Sequence, residues 1–196
     1  MAINLQKGQT IVLDKNEYDL SSLTMGLGWD VSPSGGFFGS GKDFDLDSYA
    51  LLLAEDGKLK NPKEDAIYYG HLRSGDRTVV HSGDNLTGEG AGDDEQIVLK
   101  LREIPEKYQK IVLGVNIYQA KDRKQHFGMV ANAFVRAIDA KGREIAKYSL
   151  SGDAEYDGKT SMLMGEVYKH KEEWKFRALG NAMEATLQEV VNSFKG

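Results

Sequence analysis

Short β-type segments recur along almost the whole chain, and this recurrence constrains the fold more than any other feature of the sequence. Most of the segments are rich in β-branched and aromatic residues and are bounded by Gly, Asp or Asn, as the strands of a β domain are. The predicted strands cover residues 10–13, 22–29, 49–54, 67–69, 78–81, 96–101, 110–118, 131–138, 144–150 and 161–168. The many Gly residues (22) and few Pro residues (3) fit tight turns between such strands.

The hydrophobic pattern inside two of these segments indicates how they are buried. Ile97, Leu99 and Leu101 share one face of a strand, and the residues between them are polar except for Val98. Residues 111–118 are apolar on both faces apart from one Asn, which predicts a central strand covered on both sides.

One segment departs from the β pattern. Residues 181–194 place five apolar side chains at helical spacing, with Asn181 as the predicted N-cap. A second, short helical turn is predicted near residues 122–127. The predicted fold class is therefore mainly β: an antiparallel β-sandwich of two packed sheets with a C-terminal helix, forming a single domain over residues 1–196.

The composition limits the cellular compartment of the protein and the kinds of chemical site that it can contain. The chain has no Cys, which excludes disulfides, thiolate zinc sites and a cysteine nucleophile. No apolar run approaches the roughly 20 residues of a membrane-spanning helix, so no transmembrane segment is predicted. The first residues lack the basic and apolar regions of a secretory signal. These features predict a cytoplasmic protein.

Charge is distributed unevenly. The net charge is −5, and Lys and Arg form no concentrated block, so nucleic acid is not an expected partner. Between Ser82 and Leu99, by contrast, there are five acidic residues and no basic residue.

The first acidic segment is Asp43-Phe44-Asp45-Leu46-Asp47. In an extended chain its three carboxylates share one face, about 7 Å apart, while the two apolar side chains anchor the other face. Neighbouring carboxylates then repel by roughly 2.4 kcal/mol at an effective dielectric of about 20, which a bound cation would relieve. Oxygen ligands without His or Cys favour Ca²⁺ or Mg²⁺ over zinc.

The second acidic segment, residues 82–95, combines carboxylates, an Asn carbonyl and a Thr hydroxyl with four glycines. Ca²⁺ takes six to eight oxygens in a flexible cage, whereas Mg²⁺ demands stricter geometry, so calcium is the predicted ion. Neither acidic segment matches an EF-hand loop, because apolar residues or Gly fill ligand positions in both registers. The competing interpretation is that both segments are solvated surface loops.

Several motifs resemble those of the tellurium-resistance TerD family in order and spacing. They are residues 5–8 (LQKG), 26–30 (GLGWD), 43–47 (DFDLD), 82–95 (SGDNLTGEGAGDDE), 116–118 (NIY) and 174–178 (WKFRA). The resemblance implies a calcium-binding bacterial stress-response protein associated with tellurite and chemical stress. The pair of acidic segments predicts two calcium ions. The implied metal-binding residues are Asp30, Asp43, Asp45, Asp47, Asp84, Asn85, Thr87, Glu89, Asp93, Asp94 and Glu95.

The resemblance also implies action by binding or assembly, with other stress-response proteins as partners, some of them at the membrane surface. A calcium-dependent adaptor for a membrane or an anionic ligand is the alternative. A metal-dependent hydrolase is less favoured because His81 is the only candidate base beside the acidic segments, and a His paired with a neighbouring carboxylate explains it better. The chain is therefore predicted not to be an enzyme, with no catalytic residue.

The two acidic segments predict how the stability of the protein changes when one of their Asp residues is replaced by the uncharged Asn. Replacing Asp45 or Asp93 by Asn is expected to reduce the stabilisation that calcium gives. The same replacements are expected to stabilise the calcium-free protein slightly, because a repelling charge is removed.

Overall fold

Twelve strands and three short α-helices make up the part of the chain that the computed structural model describes, residues 2–31, 44–83, 93–150 and 154–196. The strands are β1 (Ile3–Leu5), β2 (Thr10–Val12), β3 (Leu23–Val31), β4 (Leu46–Leu53), β5 (Ala66–Ile67), β6 (Val79–His81), β7 (Glu95–Leu99), β8 (Lys110–Ile117), β9 (Val130–Asp139), β10 (Glu144–Leu150), β11 (Ser161–His170) and β12 (Glu173–Met183). The helices are α1 (Pro62–Asp65), α2 (Ala120–Arg123) and α3 (Leu187–Ser193), with 3₁₀ turns at Phe127–Met129 and Ala154–Tyr156.

The strands form two six-stranded sheets. The first sheet has the order β1-β10-β9-β3-β7-β6, and the second has the order β2-β12-β11-β8-β4-β5. The pairing of β1 with β10 is parallel, and the other pairings within the two sheets are antiparallel. The prediction of a mainly β protein with two sheets is confirmed.

The main core lies between the inner faces of the two sheets. Ile97 and Leu99 of β7 point into it, as does Leu101 just beyond, so the predicted alternation is confirmed. Strand β8 is buried from Ile111 to Ile117, and its side chains contribute to cores on both faces of the second sheet, as predicted for a central strand.

A smaller core lies between the outer face of the second sheet and α3. Tyr49, Leu51 and Leu53 of β4 pack there against Val190 and Val191 of the helix. The predicted docking of a C-terminal helix on a sheet is confirmed, and this packing is what holds so short a helix in place.

The predicted bounds of that helix were wrong. Residues 181–183 belong to β12, where Met183 pairs with Ser161 of β11, so their backbone groups bond to the sheet. The helix begins after Thr186, whose side chain accepts the Glu189 N–H while the Glu189 side chain accepts the Thr186 N–H. The Thr-x-x-Glu capping box is a sequence signal for this start, whereas the apolar period continues back to Met183.

Other elements also differ from the prediction. Strand β12, with Trp174, Phe176 and Ala178 alternating between charged residues, was not predicted as a strand, and neither was β1. The helical turn expected near residues 122–127 is split into α2 and the 3₁₀ turn at Phe127–Met129. Within the described ranges, no helix has the length and apolar character needed to cross a membrane.

Gly114 on β8 allows the Tyr49 ring to lie directly against the strand. A methyl group added at Gly114 would lie 2.2 Å from the ring of Tyr49, which is fully buried. Burial raises the pKa of the Tyr49 hydroxyl, which lies 3.3 Å from Ser161 Oγ. We expect Gly114→Ala to lower the free energy of unfolding by about 2–3 kcal/mol, as overpacking of a tight core does.

Urea denaturation measures this change, with Gly75→Ala as the matched control. A methyl group at Gly75 would meet its nearest neighbour at 3.8 Å, so this change is expected to be nearly neutral. Equal stability of the two variants would contradict the assigned contact between Tyr49 and Gly114.

Candidate functional site

The described ends of the two acidic segments lie at the same end of the sandwich. The chain leaves β3 after Val31 and enters β4 at Leu46, while it leaves β6 after His81 and enters β7 at Glu95. Because β3 and β7 are antiparallel, the C-terminal end of one lies beside the N-terminal end of the other. The Ser48 N–H donates to Glu95 Oε2 at 2.7 Å, which joins β4 of the second sheet to β7 of the first. We call this end of the sandwich the acidic end.

A buried polar cluster of Ser48, His81 and Glu95 lies at the base of the acidic end. The side chains of His81 and Glu95 are fully buried. His81 Nδ1 accepts the Gly83 N–H at 3.0 Å, so the ring hydrogen must lie on Nε2. His81 Nε2 faces Ser48 Oγ at 2.8 Å, the Ser48 carbonyl at 3.2 Å and Glu95 Oε2 at 3.4 Å. The predicted pairing of His81 with a neighbouring carboxylate is confirmed.

Asp93 points to the outer face of the first sheet. Its Oδ1 accepts from Arg136 Nε at 2.7 Å, and its Oδ2 accepts from Gln96 Nε2 at 3.0 Å. The carboxylate lies over Gly26, where a methyl group would come within 2.1 Å of Oδ2. The hydrogen bond to Asp93 raises the pKa of the Arg136 guanidinium, and Glu144 adds a second contact at 3.0 Å. Asp93 is thus held by groups of the protein itself.

Asp94 binds the backbone of β3 near the end of that strand. Its Oδ2 accepts the Trp29 N–H at 2.8 Å, and its own N–H donates to the Leu27 carbonyl at 2.8 Å. Trp29 lies at the register shift between Gly28 and Asp30 in the pairing of β3 with β9, so the carboxylate stabilises an irregular strand end.

The predicted alternation of the first acidic segment is confirmed in its described part. Phe44 and Leu46 enter the main core. Asp45 Oδ2 lies 3.6 Å from Arg123 Nη2, and the Asp45 carbonyl accepts the Tyr118 N–H. Asp47 lines a cavity of about 430 Å³ at the outer face of the second sheet.

The sequence-predicted metal residues therefore divide among several places. Asp93 lies at the outer face of the first sheet, Glu95 between the sheets and Asp47 at the outer face of the second. Within residues 2–31, 44–83, 93–150 and 154–196, no three His, Asp or Glu side chains come together as a metal site. Asp30 lies in β3, where its backbone pairs with Ala131. Five predicted ligands lie outside the described residues: Asp43, Asp84, Asn85, Thr87 and Glu89.

Sequence reasoning missed four residues that contact or adjoin the predicted ones. Ser48 binds Glu95, Arg123 binds Asp45 and Arg136 binds Asp93, while Asn116 is the cross-strand neighbour of Asp47. The two members of each pair are separated by 43 to 78 positions in the chain. Strand registers, the packing of the two sheets and the loop after β8 bring these pairs together, so no local pattern could have revealed them.

The comparisons with known proteins agree on one family. The family model described as the TerD domain matches residues 1–194. Stress response protein SCP2 of Bacillus subtilis (strain 168) is 46% identical, over 99% of this chain and 100% of the relative. Tellurium resistance protein TerD of Serratia marcescens is 42% identical, over 97% of this chain and 95% of the relative.

Solved structures show the same fold. The crystal structure of SAV2460, a protein of unknown function, has a TM-score of 0.68 at 24% identity, covering 87% of this chain and 94% of that protein. SCO6318 from Streptomyces coelicolor A3(2), described as a homologue of telluride resistance protein (TerD), has a TM-score of 0.67 at 21% identity, covering 87% and 95%. On the family match and the identities of its relatives, this chain belongs to the TerD family.

Proposed function

We propose that this protein is a calcium-binding stress-response protein of the cytoplasm that acts by binding or assembly rather than by catalysis. The observation that carries the proposal is the approach of two oxygen-rich acidic segments to one end of the sandwich. The Ser48–Glu95 hydrogen bond between the two sheets fixes that approach. The names of the relatives, which refer to stress response and tellurium resistance, support the cellular role.

The carboxylates of the described residues differ in how well they could bind a hard cation such as calcium. The acidic segments offer carboxylate, amide and hydroxyl oxygens with no thiolate, which is the ligand chemistry of calcium. Asp94 and Asp45 are placed where the two segments enter their strands. Asp93 fits less well, because each of its carboxylate oxygens already faces a donor of the protein. The two expected ions would be held by Asp45 and Asp94 together with the predicted ligands Asp43, Asp84, Asn85, Thr87 and Glu89.

The surroundings of His81 favour a structural role over a catalytic one. Nδ1 accepts a backbone N–H, and Nε2 is directed at Ser48 and Glu95 inside the protein. A general base must reach the proton that it removes, and the His81 side chain is fully buried. His81 instead fixes the strand ends beside the acidic segments. A calcium ion bound by those segments would order their surface, and other stress-response proteins would bind to that surface.

Calorimetric titration of chelator-treated protein with calcium tests the proposal. We expect saturable binding of two ions, with magnesium binding more weakly because it tolerates a flexible cage poorly. The exposed-site variant Glu172→Gln is the control and is expected to bind calcium as the wild type does, since this side chain is 93% exposed and lies outside both acidic segments. Absence of saturable heat at millimolar calcium would refute the proposal.

A further inference from the structure

A groove of about 440 Å³ runs beside α3, between that helix and the segment that carries α1 and β5. We call it the α3 groove. The side chains that matter most to its chemistry are Lys63, Tyr68 and Tyr69 on one side and Leu187, Val191 and Lys195 on the other. A groove of this volume accommodates a small organic molecule.

Hydrogen bonds hold both walls of the α3 groove in place. On one side, Tyr68 and His71 exchange two backbone hydrogen bonds of 2.8 and 3.1 Å, which close the turn that carries Tyr69. On the other side, the capping box fixes the first turn of α3, and the Phe194 carbonyl at its C-terminal end accepts the Leu59 N–H at 2.8 Å. A site that is formed before its ligand arrives loses little affinity to rearrangement.

Apolar and aromatic side chains make up most of the lining of the α3 groove. Ala66 and Val191 are 2% and 7% exposed and form its floor. Tyr68 and Tyr69 meet edge to face, with ring centroids 5.4 Å apart, and Leu187 adds apolar surface from α3. An aliphatic chain that enters the groove leaves water, and each CH₂ group that it buries strengthens binding about fourfold.

The charged groups that line the α3 groove are both positive. Lys63 and Lys195 are exposed, and no Asp or Glu is found among the described residues of the lining. Within the described part of the chain neither lysine forms an ion pair, whereas the nearby Lys60 pairs with Asp56. In a protein with a net charge of −5, two ammonium groups without an acidic partner favour an anion as the ligand.

The positions of the lining residues along α3 indicate the length of that ligand. Leu187 is the first residue of α3, and Lys195 follows its last turn. Eight positions of a helix span about 12 Å, close to the length of an extended decanoate chain. Tyr69 and Leu187 also line the neighbouring cavity at the start of α3, so they mark the end of the groove that lies away from Lys195.

We propose that the α3 groove binds a free fatty-acid anion of medium chain length. Its carboxylate accepts hydrogen bonds from the Lys63 and Lys195 ammonium groups, and its chain runs along the tyrosines toward Leu187. A phospholipid in a bilayer presents its head group rather than its chain, so its chain does not reach the floor formed by Ala66 and Val191. The inference does not depend on calcium binding.

Calorimetric titration of the full chain with decanoate, in the presence of chelator and below the concentration at which micelles form, tests this site. We expect saturable binding of decanoate. Hexanoate is expected to bind at least about tenfold more weakly, because it buries fewer CH₂ groups. Decylammonium has the same chain with the opposite charge, and it is also expected to bind at least about tenfold more weakly, because the two lysines repel it.

Variants of the two lysines locate the carboxylate. We expect Lys63→Gln and Lys195→Gln each to weaken binding of decanoate about two- to fivefold, the loss of one exposed ion pair. Binding of hexanoate should weaken by the same factor, because both chain lengths carry the same head group. Lys141→Gln, at an exposed position in the turn between β9 and β10, is the matched control and is expected to bind as the wild type does.

A variant at the other end of the groove locates the chain. Tyr69→Ser is expected to weaken binding of decanoate about threefold or more and binding of hexanoate by less than about twofold, because only the longer chain reaches Tyr69. The Tyr69 side chain is 40% exposed, so the variant is expected to retain the fold.

Three results would overturn the proposal. They are the absence of saturable binding of decanoate at millimolar concentration, decylammonium binding as tightly as decanoate, or equal affinity of the Lys63→Gln, Lys195→Gln and Lys141→Gln variants. Vesicles of phosphatidylglycerol form a separate arm of the experiment. Binding of the protein to these vesicles without binding of free decanoate would assign the two lysines to a membrane surface and would also overturn the proposal.

Discussion

Replacing His81 by Ala is expected to lower the free energy of unfolding by about 3–4 kcal/mol, measured by urea denaturation in the presence of chelator. The side chain is fully buried, so its removal leaves a cavity. The change also withdraws the N–H that faces Ser48 and the Glu95 carboxylate inside the protein. For a chain of 196 residues this loss corresponds to a decrease in Tm of about 10 °C.

Two further variants separate hydrogen bonding from simple loss of volume. His81→Gln retains an N–H at the end of a side chain of similar length, and we expect it to recover part of the lost stability. His170→Ala, at an exposed position at the end of β11, is the control and is expected to change stability by less than about 0.5 kcal/mol. A similar, small effect of His81→Ala and His170→Ala would show that the buried cluster does not join the two sheets.

Calcium is expected to raise Tm by about 5–10 °C. A ligand that binds only the folded state stabilises it by about 2.7 kcal/mol at one hundred times its Kd. A protein of this size gains roughly 2–4 °C for each kcal/mol. We expect Asp94→Asn to lose at least half of this increase, because Asp94 lies where the second acidic segment enters β7. Thermal melts in chelator and in calcium measure both values.

The matched control for Asp94 is Glu172→Gln, which should keep the full response to calcium. Asp93→Asn is expected to act differently from Asp94→Asn. It should lower the stability of the calcium-free protein by about 1–2 kcal/mol, because the Arg136 guanidinium loses one of its two carboxylate partners and keeps only Glu144. The same response to calcium in the wild type, Asp94→Asn and Glu172→Gln would place the metal site elsewhere.

This expectation for Asp93 reverses the one drawn from sequence. A run of acidic residues with no basic residue nearby in the chain predicts repulsion, which an Asn substitution would relieve. Arg136 lies 43 positions away, and the pairing of β9 with β3 and of β3 with β7 brings it to Asp93.

The strands could be predicted because apolar residues recur at every second position along a half-buried strand. This alternation can be read from one sequence. Ile97, Leu99 and Leu101 predict an inner face, and that face is buried. The bounds of α3 were misplaced because Met183 fits a helical period equally well, and only its pairing with Ser161 decides that it belongs to a strand. Local periodicity predicts whether a segment is a helix or a strand. The residue at which the element ends depends on which neighbouring groups form hydrogen bonds with its backbone.

The sequence by itself determined the family, the mainly β fold, the paired state of His81 and the two acidic segments. Each of these follows from residue types and their spacing along the chain. The tertiary structure alone decided which carboxylates share a face and which already have partners. It placed Ser48 beside Glu95, Arg136 beside Asp93 and Asn116 beside Asp47. These pairs depend on the register and order of strands distant in the chain and on the packing of the two sheets. Interaction energies between charged groups fall with distance in space rather than with separation in sequence.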